Sequence, residues 1–287
     1  MSKKRLILIL TIVLLALTLT GCSVPTDENG NVILITLETK FADVMDEGVF
    51  AALITYPISQ AINWLEPKVG IALAIAAVTL IINIIVLAFT FKSNVAMQKM
   101  QELQPEITKI QAKYEGKTDE ASQQRMAMEM QQVYSKYNIN PLGSLVSTFI
   151  QFPILIGMYN AVRRSYAVAN ATFMGVSLST TPSEAFKTFN IVCIVIYLLM
   201  IATQFLSIKT PSWIANARGK KEADAHHKTY KKPEQPNNFM MTYGMVAMIA
   251  FIMLSWPTAL ALYYVIYSII TICKTLLIDA ITHKEKK

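Results

Sequence analysis

The sequence predicts an all-α integral membrane protein with five transmembrane helices, a cytoplasmic helical hairpin and an extracellular interfacial amphipathic helix. Two observations lead to this fold class. Apolar residues make up 53% of the 287 residues, and only 16% are charged. The apolar residues gather in runs of about 20, the length at which a helix crosses a hydrocarbon layer of about 30 Å. A soluble helical domain would show polar faces along its helices, and these runs largely lack them.

The N-terminus has the pattern of a lipoprotein export signal. Basic residues precede an apolar stretch from Leu6 to Leu19, and Leu19-Thr20-Gly21-Cys22 resembles a lipobox. Segment 1–21 is therefore predicted to be a cleaved signal peptide that leaves Cys22 as a lipid-modified first residue. The alternative is an uncleaved signal anchor with an incidental cysteine. The polar, acidic segment 22–47 is predicted to lie outside the membrane.

Residues 48–66 predict an amphipathic helix that lies in the lipid–water interface on the extracellular side of the membrane. Thr55, Ser59 and Asn63 recur there at helical spacing, opposite a row of apolar side chains. A polar stripe of this kind favours an interfacial helix over a membrane span. Trp64 is expected at the level of the lipid headgroups.

Five spans follow, with bounds taken from the apolar runs. The predicted spans are 69–91, 142–162, 188–208, 239–255 and 258–278. The fourth is short, at roughly 25 Å when each residue rises 1.5 Å. Local thinning of the bilayer would accommodate it.

The positions of Lys and Arg orient these spans. With Cys22 outside, the cytoplasmic pieces are the N-terminal signal, loops 92–141 and 209–238, and the C-terminal end from Lys274 with the tail 279–287. Loop 163–187 is extracytoplasmic. All but five of the 26 Lys and Arg residues then lie on the cytoplasmic side. This agrees with the excess of Lys and Arg that membrane proteins carry in their cytoplasmic loops. The exceptions are Lys40, Lys68, Arg163, Arg164 and Lys187.

Loop 92–141 predicts a helical hairpin. Two apolar seams step by three and four residues, on either side of a turn-prone break at 115–119. The seams consist of Met100, Leu103, Ile107, Ile110 and Tyr114, then Met126, Met130, Val133 and Tyr137. Pro105 should kink or restart the first arm. The methionines of the second arm fit either the core of the hairpin or an adaptable contact surface.

Four local stretches in this order resemble the Gram-positive branch of the YidC/Oxa/Alb membrane protein insertases, over about residues 45–280. They are Met97-Gln98-Lys99-Met100-Gln101-Glu102-Leu103-Gln104-Pro105-Glu106, Tyr134-Ser135-Lys136-Tyr137 before Asn140-Pro141, Gln151-Phe152-Pro153-Ile154, and Trp256-Pro257-Thr258-Ala259-Leu260-Ala261-Leu262-Tyr263-Tyr264. The resemblance implies a hydrophilic groove, open to cytoplasm and lipid and closed outside. Through it, nascent membrane proteins would be inserted and helped to fold in the bacterial plasma membrane, alone or with the Sec translocon and the ribosome. No nucleotide hydrolysis is required, so the protein is expected not to be an enzyme.

The resemblance also indicates candidate groove residues. The family usually carries an arginine midway along the first span, and this chain has Asn83 there. By position, Gln151, Gln204 and Tyr264 match places where the family lines its groove. Each of these four residues also fits a simpler role in helix–helix contact, through interhelical hydrogen bonds or packing.

The sequence gives little indication of metal, nucleotide or redox chemistry. It contains no His-Glu-x-x-His, Walker-type glycine loop or Cys-x-x-Cys, so no metal or cofactor is expected beyond the lipid on Cys22. His226-His227 lies in a Lys-rich loop and is interpreted as solvated. The net charge of +7 resides beside apolar runs, which favours anionic lipid or ribosomal RNA over DNA as a partner. The alternatives are a small transporter or channel, which would ordinarily place ionisable groups at the midplane, and a non-inserting assembly partner.

Overall fold

The computed structural model describes residues 24–225 and 238–284. Side chains are described within these ranges except at 141–149, 222, 238–242, 245 and 283–284. The predicted signal peptide 1–21, Cys22, His226-His227 and the end of the tail after Lys284 lie outside the described residues.

The described residues are mostly helical. In chain order the elements are α1 (Phe41–Glu47), a π-helical turn (Ala51–Thr55), α2 (Tyr56–Val69), α3 (Ile71–Glu102), α4 (Gln104–Lys113), α5 (Glu120–Lys136), α6 (Pro141–Arg164), α7 (Tyr166–Asn170), β1 (Thr172–Phe173), β2 (Val176–Ser177), α8 (Pro182–Lys187), α9 (Ile191–Ala225), α10 (Asn238–Met253) and α11 (Thr258–Lys284). The two strands form an antiparallel hairpin.

Three of the described helices are long and apolar enough to cross a membrane. They are Ile71–Glu102, Ile191–Ala225 and the part Thr258–Thr282 of α11. The 32 residues of α3 span about 48 Å at 1.5 Å per residue, so this helix is longer than the hydrocarbon core is thick. The expected class, an all-α membrane protein, is thereby confirmed.

The described residues form two compact units. Unit 1 comprises residues 24–85, 149–202 and 249–267, and unit 2 comprises 86–148, 203–225, 238–248 and 268–284. The core of unit 1 draws on several helices, because fully buried side chains come from each of them. Examples are Ile62, Ile75, Met158, Met200 and Leu260.

The polar stripe of α2 and the turn before it faces the protein. Thr55 and Ser59 are fully buried and Asn63 nearly so. Asn63 Nδ2 donates to the carbonyl of Ile35 at 2.6 Å, and its Oδ1 accepts from Ser165 Oγ at 2.7 Å and from the Ala167 N–H at 3.0 Å. Ser59 Oγ donates to the Thr55 carbonyl one turn earlier at 2.9 Å. The stripe is therefore buried in unit 1, and Asn63 joins it to other segments.

The Ile54 side chain, in the turn before α2, closely approaches the backbone of α6 at Gly157. A Cβ atom built on Gly157 would lie 2.3 Å from Cγ2 of Ile54. Glycine at this position thus permits a backbone approach that no other residue allows without a shift, which is how small residues act in packed membrane helices.

Gly157→Ala should lower the free energy of unfolding by about 1–3 kcal/mol, because the added methyl group overpacks this contact. Ile54→Ala removes the clashing atom, so the double variant Gly157→Ala/Ile54→Ala should be more stable than Gly157→Ala alone. Reversible denaturation in detergent micelles measures both. Gly244→Ala is the control, since no atom lies within 4 Å of its added Cβ. Equal stability of Gly157→Ala and Gly244→Ala would contradict the close contact.

Candidate functional site

In unit 1, the candidate site begins with Asn83 on the inner side of α3. Asn83 is 8% exposed, whereas its neighbour Ile84 is 60% exposed. Asn83 Nδ2 donates to the carbonyl of Thr79 at 2.9 Å, and Thr79 Oγ1 donates to the carbonyl of Ile75 at 2.7 Å. Both side chains therefore satisfy donors within their own helix, as short polar residues do in apolar helices.

Gln151 and Tyr264 meet the same group of tyrosines in unit 1. Gln151 is hydrogen-bonded to the side chain of Tyr263, which joins α6 to α11. The Tyr263 and Tyr264 rings are 5.4 Å apart in an edge-to-face arrangement, and Tyr267 lies 5.9 Å from the Tyr263 ring. The structure thus brings two of the predicted residues to one polar–aromatic cluster.

Gln204 belongs to unit 2, where it lies on α9. Its Oε1 accepts a hydrogen bond from Ser268 Oγ of α11 at 2.8 Å. The inner side of α9 continues in buried hydroxyl residues, namely Thr203, Ser207 and Thr210. Polar residues therefore recur along this apolar helix on its protein side.

The contribution of α3 to unit 2 is also polar. Thr90, Asn94 and Gln98 are buried at spacings of four residues, so they share one face of the helix. Asn94 Nδ2 donates to the carbonyl of Thr90 at 2.9 Å. Such side chains are rare in spanning helices unless they face the interior of a bundle or a water-filled cavity.

A hydrogen-bonded cluster links α3, α9 and α11 in unit 2. Gln98 Nε2 donates to Asp279 Oδ1 at 2.6 Å. The Arg218 guanidinium pairs with Asp279 Oδ2 and also donates to the Asp279 carbonyl at 3.3 Å. Sequence reasoning missed this cluster, because Asp279 was assigned to the cytoplasmic tail and Arg218 to a cytoplasmic loop. Asp279 follows directly on the last apolar run, whereas Arg218 lies ten residues beyond the end of the third predicted span.

The N-terminal end of α11 is capped by the loop that follows the β-hairpin. The N–H of Thr258 donates to the Thr180 carbonyl and that of Ala259 to the Leu178 carbonyl, each at 2.9 Å. Leu178 is fully buried in the core of unit 1. Because carbonyls of the loop satisfy free N–H groups of the helix start, the loop is held inside unit 1.

Helices α4 and α5 run antiparallel in unit 2. Lys113 at the end of α4 pairs with Glu129 in α5 at 2.5 Å, and Tyr137 after α5 donates to Glu106 near the start of α4 at 2.8 Å. The Lys113 ammonium, followed by the Tyr114 hydroxyl, lowers the pKa of the Glu129 carboxyl. The hydrogen bond to Glu106 raises the pKa of the Tyr137 hydroxyl.

Within the part of the chain that the structure describes, no group of three or more His, Cys, Asp or Glu side chains is arranged to hold a metal ion. The chemistry that the described polar groups offer is hydrogen bonding inside helices that are otherwise apolar.

The chain is similar to a known protein family and to several named bacterial proteins. Residues 64–286 match the family described as 60Kd inner membrane protein. A Listeria innocua protein named Membrane protein insertase YidC 2 is 29% identical over 279 residues, which cover 96% of this chain and 84% of that protein. A Bacillus anthracis protein of the same name is 29% identical over 289 residues, covering 100% and 98%. The Bacillus subtilis protein named Membrane protein insertase MisCA is 28% identical over 278 residues, covering 96% and 92%.

Proposed function

Because the chain belongs to the 60Kd inner membrane protein family, we propose that it is a bacterial membrane protein insertase and chaperone, and not an enzyme. Its clients are small nascent membrane proteins. The observation that carries the proposal is the row of buried polar side chains inside long apolar helices, above all Thr90, Asn94 and Gln98 of α3.

The physical logic of insertion follows from this lining. Moving an unpaired backbone polar group through hydrocarbon costs several kcal/mol. A hydrophilic groove that opens to cytoplasm and lipid shortens that barrier by offering hydrogen bonds partway across. Burial of the client's own apolar segment in lipid then drives the step, and no nucleotide hydrolysis is needed. Further partners in this proposal are the Sec translocon, the ribosome and anionic lipids.

The proposed topology has five spans, with α6 and α10 added to the three long apolar helices. Helix α6 has 24 residues and α10 has 16. The latter covers about 24 Å, so its crossing requires local thinning of the bilayer. The turn between α4 and α5 then lies in the cytoplasm and the β-hairpin outside.

Single cysteines test this topology in a variant that lacks Cys193 and Cys273. Gly116 and Gly175 are poor sites because they have φ angles of 76° and 81°, so the cysteines are placed at Lys117 and Met174. An impermeant thiol reagent should label Met174→Cys on intact cells, and Lys117→Cys only after the membrane is opened. Labelling of Lys117→Cys on intact cells would overturn the five-span arrangement.

A covalent lipid on Cys22 is part of the proposal and rests on the lipobox pattern alone. Mass spectrometry of the mature N-terminus should find a diacylglycerol-modified Cys22. An intact Met1, or another first residue, would remove the lipid anchor from the proposal without affecting the insertase function.

The function itself is tested with the purified protein in liposomes. The probe is a synthetic single-span client with an apolar segment of about 20 residues behind a short polar N-terminal tail. Liposomes with the protein should protect the tail from external protease faster than empty liposomes do. Equal protection in both would reject the insertase function in favour of an assembly partner or a transporter.

A further inference from the structure

The cluster of Gln98, Asp279 and Arg218 leaves one buried hydrogen-bond acceptor without a partner. Gln98 is 8% exposed, and its Oε1 is buried with no hydrogen-bond partner among the described residues. A buried polar atom in this state is costly, and a native structure rarely keeps one without a reason.

Asp279, itself paired with Arg218, fixes the direction in which this acceptor points. Asp279 forms an ion pair with Arg218, so its carboxylate is charged and can only accept hydrogen bonds. Gln98 must therefore present its amide nitrogen to Asp279, and Nε2 lies 2.6 Å from Asp279 Oδ1. A reversed amide would place two oxygen acceptors against each other. The ion pair thus holds Gln98 Oε1 free for another donor.

The surroundings indicate which donor fits. Arg218 cancels the charge of Asp279, so the cluster offers no net charge to attract a cation or an anion. Asn94 and Thr90 lie one and two turns before Gln98 on the same face of α3, and the Asn94 amide donates to the Thr90 carbonyl within that helix. The acceptor therefore suits a neutral N–H that has lost its water, and an unfolded polypeptide carries one at almost every residue.

We propose that Gln98 binds the client directly, by accepting a backbone N–H of the incoming polypeptide. Asp279 and Arg218 are positioning residues that orient the Gln98 amide for this bond. The inference rests on the proposed insertase function and adds to it a binding residue and the chemical group that this residue recognises.

The first test replaces Gln98 by Met, which keeps the length of the side chain and removes its polar atoms. Gln98→Met should slow insertion of the synthetic single-span client into liposomes about fivefold to tenfold, the factor that one neutral hydrogen bond supplies. Gln101→Met is the matched control on the same helix and should keep the wild-type rate. Both variants should purify in wild-type amounts.

Asp279→Asn separates positioning from simple stability. An asparagine can face Gln98 with either its oxygen or its nitrogen, so the Gln98 amide loses its fixed direction and insertion should slow. The double variant Gln98→Met/Asp279→Asn should be no slower than Gln98→Met alone, because Asp279 acts through Gln98. Losses that add, or that follow the amount of folded protein, would show a merely structural role and overturn the proposal.

Contact with the client is tested by disulfide formation in the variant without Cys193 and Cys273. Gln98→Cys should crosslink to a cysteine in the polar tail of the client, whereas Met97→Cys, which is 39% exposed on the same helix, should not. If wild-type protein inserts the client while Gln98→Met matches Gln101→Met and Gln98→Cys does not crosslink, then Gln98 meets only water and this inference is wrong. If wild-type protein does not insert the client at all, the proposed function itself fails.

Discussion

Arg164→Ala should lower the free energy of unfolding by about 2–4 kcal/mol, somewhat less than the 3–5 kcal/mol typical of a broken, fully buried ion pair. The Arg164 side chain is 2% exposed and that of Glu47 is 23% exposed, so water screens the pair in part. The guanidinium binds both Glu47 oxygens, at 2.5 and 2.8 Å, and donates through Nε to the Ile33 carbonyl at 3.0 Å. Removing the guanidinium leaves the Glu47 carboxylate and the Ile33 carbonyl without the hydrogen-bond donor that they share.

The variant should also release the N-terminal strap, residues 24–40, from unit 1. Backbone hydrogen bonds tie this strap to the end of α6, with Ile35 N–H donating to the Arg164 carbonyl at 2.6 Å and Tyr166 N–H to the Ile35 carbonyl at 3.1 Å. Without the guanidinium, the strap keeps these bonds and the one from Asn63 to Ile35, but it loses the hydrogen bond from Arg164 Nε to the Ile33 carbonyl, and α1 beside it loses the Glu47 ion pair. Limited proteolysis of Arg164→Ala should therefore cut the strap earlier than in the wild type.

Arg163→Ala is the matched control, because Arg163 is the preceding residue and its only hydrogen-bond partner in the described structure is the Tyr159 hydroxyl, at 2.9 Å. Its effect should stay below about 1 kcal/mol, as for other partly exposed pairs. Glu47→Ala should resemble Arg164→Ala, and the double variant should be little worse than either. Denaturation in detergent micelles measures all four. Equal losses for Arg163→Ala and Arg164→Ala would show that the ion pair contributes no stability.

The sequence predicted the helices of the membrane region but not what their polar residues contact. Apolar runs mark α3, α9 and α11 because a helix in lipid must hide its backbone behind apolar side chains. Helix α3 nevertheless continues to Glu102, beyond the end predicted for its apolar run, since polar residues extend a helix as readily outside lipid. Composition thus indicates where lipid contact stops, and it does not indicate where the helix stops.

The contacts that the sequence did not predict join residues far apart in the chain. The stripe of Thr55, Ser59 and Asn63 predicted an amphipathic helix, but Asn63 pairs with residues far away in the chain, Ile35 and Ser165. A periodic pattern reveals that a face is polar and not which segment covers it. Arg164 was counted only as an exception to the charge bias, because nothing in the local sequence connects it to Glu47.

For the predicted groove residues too, the sequence indicated the positions but not the partners. Gln204 was selected by position in the chain, and its partner Ser268 could not be selected because a lone serine in an apolar run carries no distinct signal. Gln151 and Tyr264 both adjoin Tyr263 in unit 1. Their role in a groove stays a prediction, since hydrogen bonds between helices stabilise packing as well as hydrate a cavity.

Asn83→Leu should slow insertion of the synthetic client about fivefold to tenfold while the protein accumulates normally. The leucine has a similar size, but it removes two donors and an acceptor from the inner side of α3, and one hydrogen bond corresponds to about this factor in rate. Asn83→Arg should be tolerated, because a hydrated lining solvates a cation. It should also increase the preference for clients with acidic tails, since the neutral amide cannot attract them over distance. Insertion rates of clients with acidic and neutral tails measure this preference.

The control for Asn83→Arg is the same substitution at the next residue. Ile84 is 60% exposed on the outer side of α3, where it meets lipid in the proposed topology, and an arginine at the centre of a span costs at least about 2.5 kcal/mol. Ile84→Arg should therefore reduce accumulation in the membrane, and Asn83→Arg should not. If Asn83→Arg instead fails to accumulate and Asn83→Leu inserts clients at the wild-type rate, position 83 lies in a dry helix contact. Asn83 would then contribute to packing in unit 1, and the polar side chains of unit 2 would have to supply the client's hydrogen bonds.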